Sequence, residues 1–259
     1  MPAMPTSDDA VRRGVLVGTW IKLPALESVE IAVDAGFDFA IVDLEHAFVP
    51  EGVLSAMLAV AAPSPMDLLV RVPDHSGTRA KAVLDGGAAG VVVPNVETRE
   101  QAVAVTESVR FPPLGRRGLS VSGRAGSWGM TGLRAYMEMQ NASLRLYLQI
   151  ESRRGIANAR EIAAVPGVDG LLVGPADLSA DVRGTDWEGR EAELLRELER
   201  HCAADGVALG TATDAAPERA RDLVRRGYRL LAASSDVGIL RSAGEALQRS
   251  LAEASAHRA

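Results

Sequence analysis

Two carboxylates stand where a divalent cation is most readily held. Glu151 closes the apolar run Leu144 to Ile150, and Asp177 follows the run Gly170 to Val173 by four residues. If the two runs are neighbouring strands, both side chains reach one rim. Two carboxylates that leave positions open for water and substrate oxygens suit Mg2+ or Mn2+. A plainer reading also fits, in which Glu151 pairs with Arg153 or Arg154 and Asp177 N-caps a helix starting at Leu178. Between the two runs and that helix lies Gly174-Pro175-Ala176-Asp177, a tight turn whose free backbone N–H groups favour a carboxylate or phosphate.

A second group is Asp43-Leu44-Glu45-His46, which places alternate side chains at a strand end. A carboxylate there can orient the imidazole of His46 and make it a general base near neutral pH. Of the four histidines, His75 sits in a polar turn and His257 in the tail, so His46 is the catalytic candidate. Arg71 emerges from Leu68-Leu69-Val70, and an arginine leaving an apolar strand needs an anionic partner, either a ligand or Asp43. Lys22 and Lys81 are the only lysines among 28 basic residues. Covalent catalysis through a Schiff base needs a desolvated lysine. Lys22 is expected in the first loop and Lys81 inside a helix, so neither fits that role, and an electrophilic metal is the other way to stabilise developing negative charge.

These residues need a scaffold that brings strand ends together. Eight short apolar runs are predicted as strands: Val15 to Trp20, Phe39 to Asp43, Leu68 to Val72, Gly90 to Pro94, Leu144 to Ile150, Gly170 to Val173, Val207 to Gly210 and Tyr228 to Ala232. The segments between them carry apolar residues three and four apart, as amphipathic helices do. Gly36, Gly87, Gly167, Gly206 and Gly227 recur just before strands, where a glycine ends a helix in the left-handed conformation. Eight such units predict a (β/α)8 TIM barrel of class α/β, with the active site at the C-terminal ends of the strands. No glycine-rich dinucleotide fingerprint follows the first strand.

With 259 residues and 47% hydrophobic composition, one domain spanning 1–259 is expected, preceded by a polar tail over residues 1–13. The charge of −6 is interspersed, which leaves no footprint for nucleic acid or an anionic membrane. The polar start and the lack of a spanning segment predict a cytoplasmic protein. The single Cys202 falls on a helical apolar stripe and is expected to be a core thiol. The long connection Arg110 to Met130 is expected to be functional, its Arg116, Arg117 and Arg124 available to an anionic substrate or a neighbouring subunit.

Seven motifs, in order, resemble the class II pyruvate aldolases of the HpcH/HpaI group: GTW (18–20), AGFDFAIVDLEH (35–46), RVP (71–73), LDGGAAGVVVPNVET (84–98), PPLGRRG (112–118), QIES (149–152) and VPGVDGLLVGPADLS (165–179). The resemblance implies that Glu151 and Asp177 bind Mg2+, Mn2+ or Co2+, and that Arg71 contacts the pyruvate oxygens. It makes His46 and Asp43 the acid/base unit and has Gln149 line the pyruvate site. The amides around the turn Gly174, Pro175, Ala176 and Asp177, of which Pro175 has none to give, then receive the carboxylate, and Trp20 shapes the pocket wall. Asp85 resembles an aspartate that reaches a neighbouring subunit's site, and a homo-hexamer that exchanges its last helix is implied, Asp236 to Leu251 being amphipathic. The implied reaction joins pyruvate and an aldehyde, or cleaves a 4-hydroxy-2-oxo acid. After GPADLS the chain departs from the family pattern with Arg183, Asp186 and Trp187, expected near the mouth. Two other readings stand beside this one: a citramalyl-CoA or malyl-CoA type lyase, which would need a basic groove, and a non-catalytic oxo-acid-binding protein.

Overall fold

The computed structural model describes residues 14–214 and 216–256; the expected tail over residues 1–13 and His257 lie outside them. Eight parallel strands close a barrel in sequence order: β1 (Leu16–Ile21), β2 (Phe39–Asp43), β3 (Asp67–Arg71), β4 (Gly90–Val93), β5 (Arg145–Ile150), β6 (Gly170–Val173), β7 (Ala208–Thr213) and β8 (Leu230–Ser235). β8 closes back on β1 through Leu16 opposite Leu230. The helices between them are α1 (Leu26–Asp34), α2 (Glu51–Ala61), α3 (Thr78–Asp85), α4 (Arg99–Val109), α5 (Leu133–Ser143), α6 (Arg153–Ala157), α7 (Ala159–Ala163), α8 (Pro175–Val182), α9 (Glu191–Asp205), α10 (Pro217–Arg225) and α11 (Asp236–Ala256). The TIM barrel expected from the periodicity is the fold observed. The five junction glycines all hold a positive φ, as the left-handed helix ending requires.

Period-two alternation sorts each strand into an inner and an outer face. Inward, Trp20, Phe39, Ile41, Leu69, Val92, Tyr147 and Leu172 fill the lumen. Outward, residues such as Ala40, Val42, Leu68, Val70, Leu146 and Leu148 meet the helices in the larger core. The inner rows run on at the C-terminal ends into polar side chains, Asp43 after Ile41, Arg71 after Leu69, and Gln149 then Glu151 after Tyr147. The lumen is therefore an apolar plug with a charged cap.

Cys202 is buried, and burial pushes its thiol up to about 11, so it is a core residue as expected. Among the described residues, no helix is long and apolar enough to cross a membrane.

Candidate active site

The cap of the barrel is a cavity of about 320 Å³ lined by Trp20, Lys22, His46, Arg71, Gln149, Gly174 to Asp177, and the ends of β7 and β8. Asp43 is fully buried beneath it. Its carboxylate accepts Nε and Nη2 of Arg71 at 3.0 and 2.7 Å and Nζ of Lys22 at 2.6 Å. Burial opposes ionisation of Asp43, but the bonds from Arg71 and Lys22 outweigh it and hold the carboxyl well below the usual range. Arg71 also meets Glu45, Nη1 to Oε2 at 2.9 Å, and its guanidinium lies 4.5 Å over the Trp20 ring. Trp20 and two carboxylates thus fix the direction of this charge.

Glu151 is 5% exposed. It accepts the amide of Asn95 at 3.2 Å and the side-chain amide of Gln149. Burial, then the negative charges of Asp177 and Glu45, push Glu151 up to about 7. Burial also raises Glu45. Neither plainer role proposed for the pair is seen. Arg153 faces Asp181 and Arg154 faces Glu97, so neither is the partner of Glu151. Gly174, not Asp177, is the N-cap of α8, and Asp177 stands exposed in the first turn.

A divalent cation fits this donor set. Three carboxylates are crowded enough to raise the buried one, and Gln149 Oε1 is buried with no partner. Gly174 leaves the space open, since a Cβ there would stand 2.5 Å from Glu151 Oε1. Among the described residues, no three His, Cys, Asp or Glu side chains are grouped so as to hold a metal ion by themselves. A cation held here by two carboxylates would need substrate and water for its remaining positions.

Several expectations need correction. Asp43 does not orient the imidazole of His46: it accepts the backbone N–H groups of Glu45 and His46, each at 3.1 Å, and its remaining capacity goes to Arg71 and Lys22. The carboxylate nearest the half-exposed imidazole is Glu45, at 3.8 Å. Lys22 is in the first loop as expected, directly after β1, but it continues the inward row of Gly18 and Trp20 and lines the cavity. That parity was the signal available in the sequence. Its ammonium is ion-paired, whereas Schiff-base chemistry needs a free amine.

Asp85 ends α3 and binds Lys81 at 2.9 Å and the buried Arg117 at 2.6 Å, so it does not join the rim of its own chain. The long loop's cations are likewise engaged within the chain: Arg110 bonds Gly167 O and Asp169, Arg116 pairs with Glu107, and Arg124 lies over Trp128. Arg183, Asp186 and Trp187 do not line the cavity, and Trp187 packs against the core beneath Arg190. Glu45 and Asn95, whose amide and side chain reach Glu151 and Glu45, are functional candidates that only the closed barrel assembles.

The fold and its rim define a (β/α)8 barrel whose C-terminal face gathers Asp43, Glu45, Glu151 and Asp177 near Arg71. Residues 16–243 match the family model described as HpcH/HpaI aldolase/citrate lyase, and the chain belongs to that family. It is 42% identical over 175 residues to a 4-hydroxy-2-oxovalerate aldolase of Novosphingobium aromaticivorans, covering 66% of this chain and 65%, just under two thirds, of that one. It is 36% identical over 245 residues to a hydroxypyruvate/pyruvate aldolase of Paraburkholderia phytofirmans, covering 90% and 92% of the two chains. Among solved structures, the HpcH/HpaI aldolase of Desulfitobacterium hafniense superposes with a TM-score of 0.86 at 28% identity, covering 96% of this chain and 97% of that one.

Proposed function

We propose that the protein is a class II pyruvate aldolase, forming or cleaving 4-hydroxy-2-oxo acids through a pyruvate enolate. The observation that carries this reading is the buried Glu151, crowded by Asp177 and Glu45 and bonded to Gln149, which lines the cavity together with Arg71 and Asp177. Glu151 and Asp177 would hold the divalent cation. When bound, it supplies Lewis-acid stabilisation of charge developing on the pyruvate keto oxygen.

The chain's own residues do the rest. Arg71, fixed by Asp43, Glu45 and Trp20, presents a guanidinium that cannot turn away as negative charge develops, and such preorganised charge is worth most in a site that excludes water. Gln149 aims its free Oε1 into the same space. The start of α8 offers the amides that follow Gly174 to the substrate carboxylate. His46, half-exposed at the mouth and near Glu45, is placed to move the proton of the aldol hydroxyl. The two named aldolase relatives support a pyruvate nucleophile.

The proposal extends to a single catalytic domain working in the cytoplasm as a homo-hexamer, with Asp85 serving a neighbouring subunit. Its support is α11, which exposes Leu240, Leu247 and Leu251 along one stripe. An apolar groove of about 300 Å³ between α1 and α11 is lined by Ile21, Ile31, Phe37 and Ile239.

The test is pyruvate release from 4-hydroxy-2-oxo acids after chelation and re-addition of Mg2+, Mn2+ or Co2+. Activity should vanish with chelator and return with metal. Full activity in excess chelator, or a pyruvate adduct trapped by borohydride on Lys22, would overturn the proposal.

A further inference from the structure

The metal-facing arc of the cavity, β5 and β6, accounts for pyruvate but not for the opposite arc, where β7, β8 and β1 end. Four polar side chains line it: Thr213, Ser234, Ser235 and Lys22. The ends of β7 and β8 are paired through Thr213 opposite Ala233, and β1 joins β8 through Trp20 opposite Ser235. Thr213 Oγ1 is buried with no hydrogen-bond partner. Ser234 holds φ at +59°, a conformation that residues with a Cβ rarely adopt, and such backbone persists where the surroundings hold it, often at ligand sites. β8 shifts register against β1 here, Ala232 standing opposite Gly18 but Ser235 opposite Trp20, and Ser234 falls at that irregularity, lining the cavity with its hydroxyl close to Gly238 at the start of α11. The neighbouring Ser235 hydroxyl differs, since it accepts the amide of Gly238.

Lys22 is held from behind as well as at its tip. Asp236, the first residue of α11, accepts the backbone N–H groups of Lys22 and Leu23, each at 3.0 Å. Its ammonium gives one hydrogen bond to Asp43, and an ammonium has three to give. We propose that Lys22, Ser234 and Thr213 form the acceptor subsite of the aldolase reaction and that it selects a small hydroxylated aldehyde over an alkyl one. The inference rests on the aldolase reading above. Hydroxyls that both donate and accept, beside an ammonium whose charge is already balanced by Asp43, match a neutral hydroxyl-bearing substrate. A bare alkyl chain would leave these groups unpaired, which is how a polar site rejects an apolar analogue.

The test uses two aldehydes of nearly equal shape, glycolaldehyde and propanal, each condensed with pyruvate by the metal-loaded enzyme. For each, kcat/KM is measured in wild type, Ser234→Ala, Thr213→Val and Lys22→Met. The ratio of glycolaldehyde to propanal should fall about five- to tenfold in Ser234→Ala and Thr213→Val, as expected for one neutral hydrogen bond. Lys22→Met should lower it by roughly ten- to a hundredfold, the range for a bond from a charged donor. Because Lys22→Met also disturbs Asp43, the two hydroxyl variants decide the matter. Wild-type exchange of pyruvate methyl protons with deuterium, without aldehyde, reports on the aldolase reading separately. If exchange is absent, that reading falls and the subsite with it. If exchange and condensation proceed but the ratio is the same in wild type and both hydroxyl variants, the subsite alone is overturned.

Discussion

Replacing Glu151 with glutamine should stabilise the metal-free protein at pH 8 while abolishing its activity. The carboxyl is raised from 4.5 to about 7, first by burial and then by Asp177 and Glu45. In a raised carboxyl the native state keeps a proton that the unfolded chain has released, so its contribution is present below pH 4.5 and lost as pH climbs to 7. At about 1.4 kcal/mol per pH unit, the charged Glu151 costs the metal-free protein about 3 kcal/mol at pH 8. Glutamine removes that cost but has one acceptor oxygen for two donors, Asn95 N–H and Gln149, and an orphaned donor costs about 1 kcal/mol. The net gain of about 2 kcal/mol corresponds to a rise of roughly 4 to 8 °C in Tm for a chain of this size.

The assay is thermal denaturation in EDTA at pH 5 and pH 8, repeated with Mn2+. In EDTA at pH 8 Glu151→Gln should melt above wild type, and at pH 5 the advantage should vanish. With Mn2+ the order should reverse, because only wild type gains the binding free energy of the ion. Metal affinity of wild type should also rise towards pH 7 and then level, as the ion no longer competes with a proton. A variant that melts at or below wild type in EDTA at pH 8 would refute the claim that Glu151 is a desolvated, crowded carboxylate.

Other perturbations probe the remaining roles. Arg71→Ala should slow both deuterium exchange into pyruvate and aldol cleavage by about a hundred- to a thousandfold, the cost of losing one preorganised charge contact; equal rates in variant and wild type would remove it from the mechanism. His46→Ala should impair cleavage more than exchange, since the hydroxyl proton belongs to cleavage alone, and wild-type cleavage by a folded variant across pH 6 to 9 would make His46 a bystander. Asp43→Asn should lower stability by about 3 to 5 kcal/mol, because Arg71 and Lys22 would lose their shared buried counter-charge; denaturant titration reads this, and a loss below about 1 kcal/mol would refute it. Gly174→Ala should weaken Mn2+ binding at least tenfold by titration calorimetry, since the new Cβ falls on Glu151 Oε1, and unchanged binding would show that the turn yields.

Much of this molecule is legible in its sequence because it is decided by neighbours along the chain. The short apolar runs Phe39–Asp43 and Gly170–Val173 mark strands with those bounds, since strands of a parallel barrel are buried on both faces. Gly36 and Gly167 mark helix ends because only a residue without a Cβ enters the left-handed region freely. Glu151 and Gln149 reach the cap because they share the inner parity of Tyr147, and Lys22 was legible by the same rule from Trp20. What the tertiary structure alone decided is which charge meets which. Arg71 and Asp43 are 28 residues apart, Lys22 and Asp43 are 21 apart, and the Asn95 amide finds Glu151 across 56 residues. Those partnerships turn Asp43 from the expected orienter of His46 into the counter-ion of two cations, and commit Asp85 and Arg117 to each other on the outer side. The physical reason is that a carboxylate's partner is chosen by proximity after barrel closure, under desolvation that only the closed barrel imposes, and no local periodicity encodes either.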